Sequence, residues 1–101
     1  MTQILKEGNK TIIKTDARID TLNAGQFEKD IQPALEKGVD LEIDCTDLTY
    51  MASSGLRVLL STMRAVTRQL GGQMKMTHVN DDIFGILKMT GFVRLITIER
   101  A

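Results

Sequence analysis

Three groups of residues in this chain could do chemistry: a serine pair, Ser53-Ser54, followed by Gly55; four aspartates, Asp16, Asp20, Asp44 and Asp47; and a single cysteine and a single histidine, Cys45 and His78. The serine pair stands where a strand-like run ends and an apolar-periodic helix begins. A helix start carries unpaired backbone N–H groups and the positive end of a dipole. A serine there can cap the helix, and an added phosphate is well tolerated. Composition alone favours the cap; a phosphoacceptor is the functional rival. Gly55 costs a helix about 0.8–1 kcal/mol against alanine. Its use would be to let another backbone or a protein partner approach closely.

The aspartates lie after or at the ends of strands, where an open α/β sheet gathers its functional loops. Paired carboxylates can do acid–base work. Turn and cap roles are the plainer reading, because Asp is favoured in both and no nucleophile, base and metal pattern accompanies these four. Cys45 reads as a buried apolar residue at a strand end. One histidine and one cysteine, distant in sequence, make no metal site, so His78 reads as structural or surface. Neither a P-loop nor a dinucleotide fingerprint occurs, and no cofactor is implied.

The elements that must position these residues follow from punctuation and periodicity. Residues 3–6 and 11–15 read as strands joined by the Gly8-Asn9 turn. Asn23 reads as an N-cap with Gln26 in a capping box, and Leu22 as a staple to Phe27. Phe27, Ile31, Ala34 and Leu35 share a helical face, Pro33 should kink the helix or end its regular part early, and Gly38 closes the segment. Residues 39–45 alternate strictly, as a strand with one apolar face does. A helix over about 54–70 presents Leu56, Leu59, Leu60, Met63, Val66 and Leu70 as its stripe, with Arg57, Arg64 and Arg68 off it. Gly71-Gly72 ends it. Residues 73–78 alternate again. Asn80 caps a short helix that turns Ile83, Phe84 and Leu87 inward and stops at Gly91, before a last strand over 94–99.

The order is β-β-α-β-α-β-α-β, an α/β fold: a mixed sheet with helices mainly on one face, because the strands alternate instead of running continuously apolar. With 101 residues the expectation is a single domain over 1–101. Thirteen basic residues balance thirteen acidic ones, which argues against a nucleic-acid or anionic-membrane binder. No basic-then-apolar leader and no membrane-length apolar run is seen, so no membrane insertion is expected. With one cysteine, these features fit a cytoplasmic setting.

The segment from Leu41 to Leu60 resembles the signature of STAS domains, the anti-sigma factor antagonist family. That signature is an apolar strand ending in Asp, a short loop, an aromatic, an apolar residue, Asp-Ser-Ser-Gly-Leu and a helix. Here it reads Leu41-Glu-Ile-Asp44, then Tyr50-Met51-Ala52-Ser53-Ser54-Gly55-Leu56. Arg18-Ile-Asp20 before Thr21-Leu-Asn-Ala24 resembles the family's Gly-x-x-Asp segment, and Ile86-Leu-Lys-Met-Thr-Gly91 its Leu-x-x-x-Gly turn.

The resemblance implies a bacterial signalling role in regulating transcription. An anti-sigma factor that is also a serine kinase would phosphorylate Ser53, the unphosphorylated form would bind that kinase, and a cognate serine phosphatase would reset it. Asp20, Ala52, Ser53, Ser54, Gly55, Leu56 and Arg57 would form the partner surface. Ala52 replaces the family's aspartate, removing a carboxylate beside the switch but not the hydroxyl. The rival within the same fold is a constitutive scaffold, in a stress-signalling assembly or a lipid-transport complex, with Ser53 only a cap. An enzyme is not expected.

Overall fold

Alternation of apolar and polar residues builds the sheet. In the computed structural model, which describes residues 2–101, β1 (Gln3–Glu7) turns at Gly8 into β2 (Lys10–Lys14), and the two pair antiparallel. Then come β3 (Arg18–Ile19), α1 (Ala24–Ile31), β4 (Asp40–Asp44), β5 (Tyr50–Met51), α2 (Ser53–Arg64), β6 (Gln73–Val79), α3 (Asp81–Met89) and β7 (Thr97–Arg100). The main sheet has the order β1-β2-β4-β6-β7, and β3 and β5 form a separate two-stranded ribbon. The pairs β2–β4, β4–β6 and β6–β7 are parallel, as helical crossovers require.

One face of the sheet is dry. Ile13, Leu41, Ile43, Met74 and Met76 are buried there with Phe27 and Ile31 of α1, Leu59 and Met63 of α2, and Ile83 and Leu87 of α3. The opposite face carries most of the polar strand residues, with Ile12 of β2 among them. Glu42 Oε1 lies 3.5 Å from Lys10 Nζ and 3.8 Å from Lys75 Nζ, and Glu42 Oε2 accepts from Thr77 Oγ1 at 2.9 Å. The expected mixed sheet with a one-sided helical layer is therefore present.

Several local expectations are corrected. Asn23 makes no side-chain cap bond to α1. Its Oδ1 instead accepts from the Asp20 N–H at 2.7 Å, and Gln26 pairs forward with Asp30. Leu22 is 95% exposed and staples nothing. Pro33 does end the regular helix early, inside a 3₁₀ turn at Gln32–Ala34. Val58 and Thr62 join the buried face of α2, while Leu56, Leu60 and Leu70 are only half-buried.

The helix starts at Ser53 and runs on through a π turn at Ala65–Gln69. Gly71 leaves it at φ +65°, and Gly72 packs so tightly that a Cβ would sit 2.2 Å from the Val39 carbonyl oxygen. The last strand begins at Thr97, not Arg94. Gly91 (φ +79°) leads into a 3₁₀ turn at Phe92–Arg94 that buries Phe92. Asn80 caps α3 as expected: its Oδ1 accepts from Ile83 N–H at 2.9 Å.

Candidate functional site

The ribbon positions the site. β3 and β5 run parallel with Ile19 opposite Met51, and the Ala52 N–H donates to the Ile19 carbonyl at 2.8 Å. One further step sets Asp20 beside Ala52 and the start of α2. The Asp20 carboxylate is held there by its own turn: Oδ1 accepts from the N–H groups of Leu22 (3.0 Å) and Asn23 (3.3 Å), and Oδ2 lies 3.4 Å from Arg18 Nε. Arg18 in turn lies over the Tyr50 ring, 4.4 Å from its centroid. Asp20 is therefore a structural turn residue that also borders the mouth of α2.

The two serines part company. Ala52, with extended backbone, occupies the N-cap position, and no side chain caps this helix start. Ser53 is the first helical residue and is exposed. The cap reading of Ser53 is thus corrected: Ala52 holds the cap position, and Ser53 is an exposed residue at a helix N-terminus. Ser54 Oγ is buried without a hydrogen-bond partner among the described residues. Only Ser53 presents a reachable hydroxyl here.

Gly55 is also corrected. It is buried, and a Cβ on it would meet Ile19 Cγ2 at 2.7 Å and Met51 Cγ at 3.0 Å. The close approach is by the protein's own ribbon, not by an outside partner. Leu56 is half-buried and Arg57 exposed. Both line a groove of about 300 Å³ with Ser53, Leu60, Thr90, Phe92 and Leu95. Thr90, Phe92 and Leu95 were not foreseen as site residues. The one signal for them was the Gly91 stop, which folds the following apolar residues back towards α2.

The remaining aspartates do not converge on this groove. Asp47 Oδ2 lies 3.6 Å from Lys14 Nζ, and Asp44 Oδ1 lies 3.2 Å from His78 Nδ1. Burial raises the Asp44 pKa, but hydrogen bonds from the Thr46 hydroxyl and N–H, with the charges of His78 and Lys14, outweigh it and hold the carboxyl below its ordinary value. His78 is exposed at φ +56° and sits in a bulge of β6 against β7. Cys45 is buried, and desolvation with the neighbouring Asp44 charge pushes its thiol up to about 12. Among the described residues no cluster of His, Cys, Asp and Glu could hold a metal ion, and no helix is long and apolar enough to cross a membrane.

A family model for the STAS domain matches residues 2–101. The chain belongs to the STAS family. This STAS chain is 30% identical to the anti-sigma-B factor antagonist of Bacillus subtilis over 91 residues, which span 90% of this chain and 83% of that protein. Among solved structures, the STAS domain protein of Planctomyces limnophilus superposes with a TM-score of 0.87 at 15% identity, covering 99% of this chain and 90% of that one. An anti-sigma factor antagonist from Mycobacterium paratuberculosis gives 0.84 at 17% identity, covering 100% and 86%. Those two establish the likeness of fold.

Proposed function

We propose that this STAS domain is an anti-sigma factor antagonist whose binding is switched by phosphorylation of Ser53. Its partners would be an anti-sigma serine kinase, bound by the unphosphorylated form, and a serine phosphatase that resets it. The reading takes the protein as a binding module in the cytoplasm, not an enzyme. The observation that carries it is the exposed Ser53 at the first position of α2, beside an apolar groove, with Ser54 turned inward. The antagonist relative supports it further.

The physics of such a switch is local. Phosphoserine adds about −1.5 to −2 charges at pH 7. At the positive end of α2 that charge is accommodated without refolding. The surface offered to a partner nonetheless changes, and an interface packed on Leu56 and Leu60 would have to desolvate a dianion. Ala52 puts no carboxylate against the incoming phosphate.

The test is incubation with a cognate anti-sigma serine kinase and ATP, followed by mass spectrometry. Label confined to Ser53, with the kinase retained by wild-type bait and lost from Ser53→Asp, is the expected result. Label elsewhere, or equal retention by both baits, would overturn the switch and leave the constitutive scaffold as the better account.

A further inference from the structure

The outer crest of α2 carries an unbalanced charge. At 3.6 residues per turn, Ser53, Arg57 and Arg64 fall within about 40° of arc, opposite the buried face, and Arg68 follows in the π turn that continues the helix. Arg57, Arg64 and Arg68 are all exposed. On the sheet and its edges six cations find acids: Lys6 with Glu36, Lys10 and Lys75 with Glu42, Lys14 with Asp47, Arg18 with Asp20, and Arg100 with Asp81. Among the described residues none of the three crest arginines has such a partner within ion-pair distance.

The reason is in the sequence. The chain is neutral overall, yet it contains no Asp or Glu between Leu48 and Asn80. The arginines therefore form a cationic strip about 16 Å long, from Arg57 to Arg68, with the half-buried Leu56 and Leu60 along one flank. Arginine offers planar, bidentate recognition of carboxylates, which suits docking better than a diffuse basic field.

We propose that this crest is a docking strip for an acidic segment of a partner protein, with Arg57, Arg64 and Arg68 as its contacts. The charge complementarity selects an anion, and the apolar flank selects a protein segment over a phosphate backbone. Nucleic acids and anionic bilayers call for a larger basic surplus than a chain of zero net charge provides. The strip also begins at Ser53. Arg57 is four residues further along, the spacing at which helical side chains meet. A phosphate on Ser53 would occupy Arg57 and repel an acidic segment from the head of the strip. That regulatory clause rests on the phosphoacceptor reading; the strip itself does not.

The test uses a short synthetic peptide of glutamates with interspersed leucines, titrated into isotope-labelled full-length protein. The expected result is shifted side-chain N–H signals of Arg57, Arg64 and Arg68, with affinity falling steeply as salt rises. Arg64→Glu with Arg68→Glu should weaken binding about tenfold or more. Arg64→Gln with Arg68→Gln should give a smaller loss, and circular dichroism checks that both variants fold. Unchanged affinity in the two folded variants overturns the strip. Tighter binding of phosphatidylglycerol vesicles or of duplex DNA than of the peptide overturns the occupant. Protein carrying phosphoserine at position 53 should bind the peptide about threefold or more weakly; equal affinity overturns the competition at Arg57. Because the peptide arm uses no kinase, failure of a kinase to label Ser53 leaves the strip standing. Labelled Ser53 with no peptide binding removes the strip and spares the phosphoacceptor.

Discussion

Gly55 and Ile19 meet so closely that a β-carbon on the glycine would stand 2.7 Å from Ile19 Cγ2. The start of α2 is thereby pressed against the ribbon that carries Asp20. Helix propensity alone would make Gly55→Ala stabilising by about 0.8–1 kcal/mol. Overpacking of this kind costs about 1–3 kcal/mol. The expected net result is a loss of about 1 kcal/mol in denaturant unfolding, and a smaller loss when the same change is made in an Ile19→Ala background. A gain in stability for the single variant would refute the packing argument.

Gly72→Ala should be worse. Its neighbour is the Val39 carbonyl, 2.2 Å from the built Cβ, and backbone cannot swing aside as the Ile19 methyl can. Unfolding midpoints of the two variants, measured side by side, check the order; Gly72→Ala at or above Gly55→Ala would contradict it.

Asn80→Ala removes two bonds together: the cap to Ile83 N–H and the Nδ2 donation to the Leu48 carbonyl at 2.8 Å. The expected cost is about 1–2 kcal/mol. Asn80→Asp keeps the cap acceptor but loses the donor, so it should fall between. Chemical denaturation of the three proteins distinguishes these outcomes.

Asp44 makes stability depend on pH. Its folded pKa lies below the ordinary 3.8, so the folded state favours the ionised form. Its contribution is fully present above the unfolded value and disappears as pH falls through the folded one. The stability gap between wild type and Asp44→Asn should therefore be wide near neutrality and close below about pH 4. A gap that stays constant over acid titration would show that Asp44 acts by shape alone.

Cys45 should be inert in the native protein. A thiol pushed up to about 12 supplies almost no thiolate at neutral pH. A thiol-specific reagent is expected to react only at the rate of global or local opening, with full reaction in denaturant. Rapid stoichiometric labelling of native protein would place the sulfur at the surface instead.

Much of this was legible in the sequence because periodicity reports burial. The alternation in β4 and β6 announced a one-sided sheet, and Asn80 announced the start of α3. The ribbon was not legible: two-residue strands are too short to show an alternation, although they place Asp20 against the head of α2. Asn23 looked like a helix cap because Asn is favoured there. The Asp20 N–H and the Arg18 carbonyl took its side chain instead, a competition that only tertiary placement reveals. The serine pair is alike in sequence, and only burial separates them: Ser53 is exposed and Ser54 Oγ is buried. Gly55 flagged a close approach and left its source open.

The β3–β5 ribbon stands apart from the five-stranded sheet. Substitutions at its tip, such as at Ala52, alter the mouth of α2 without touching the strands of the main sheet. The mouth of α2 can therefore be reshaped while the five-stranded sheet beneath it stays as it is.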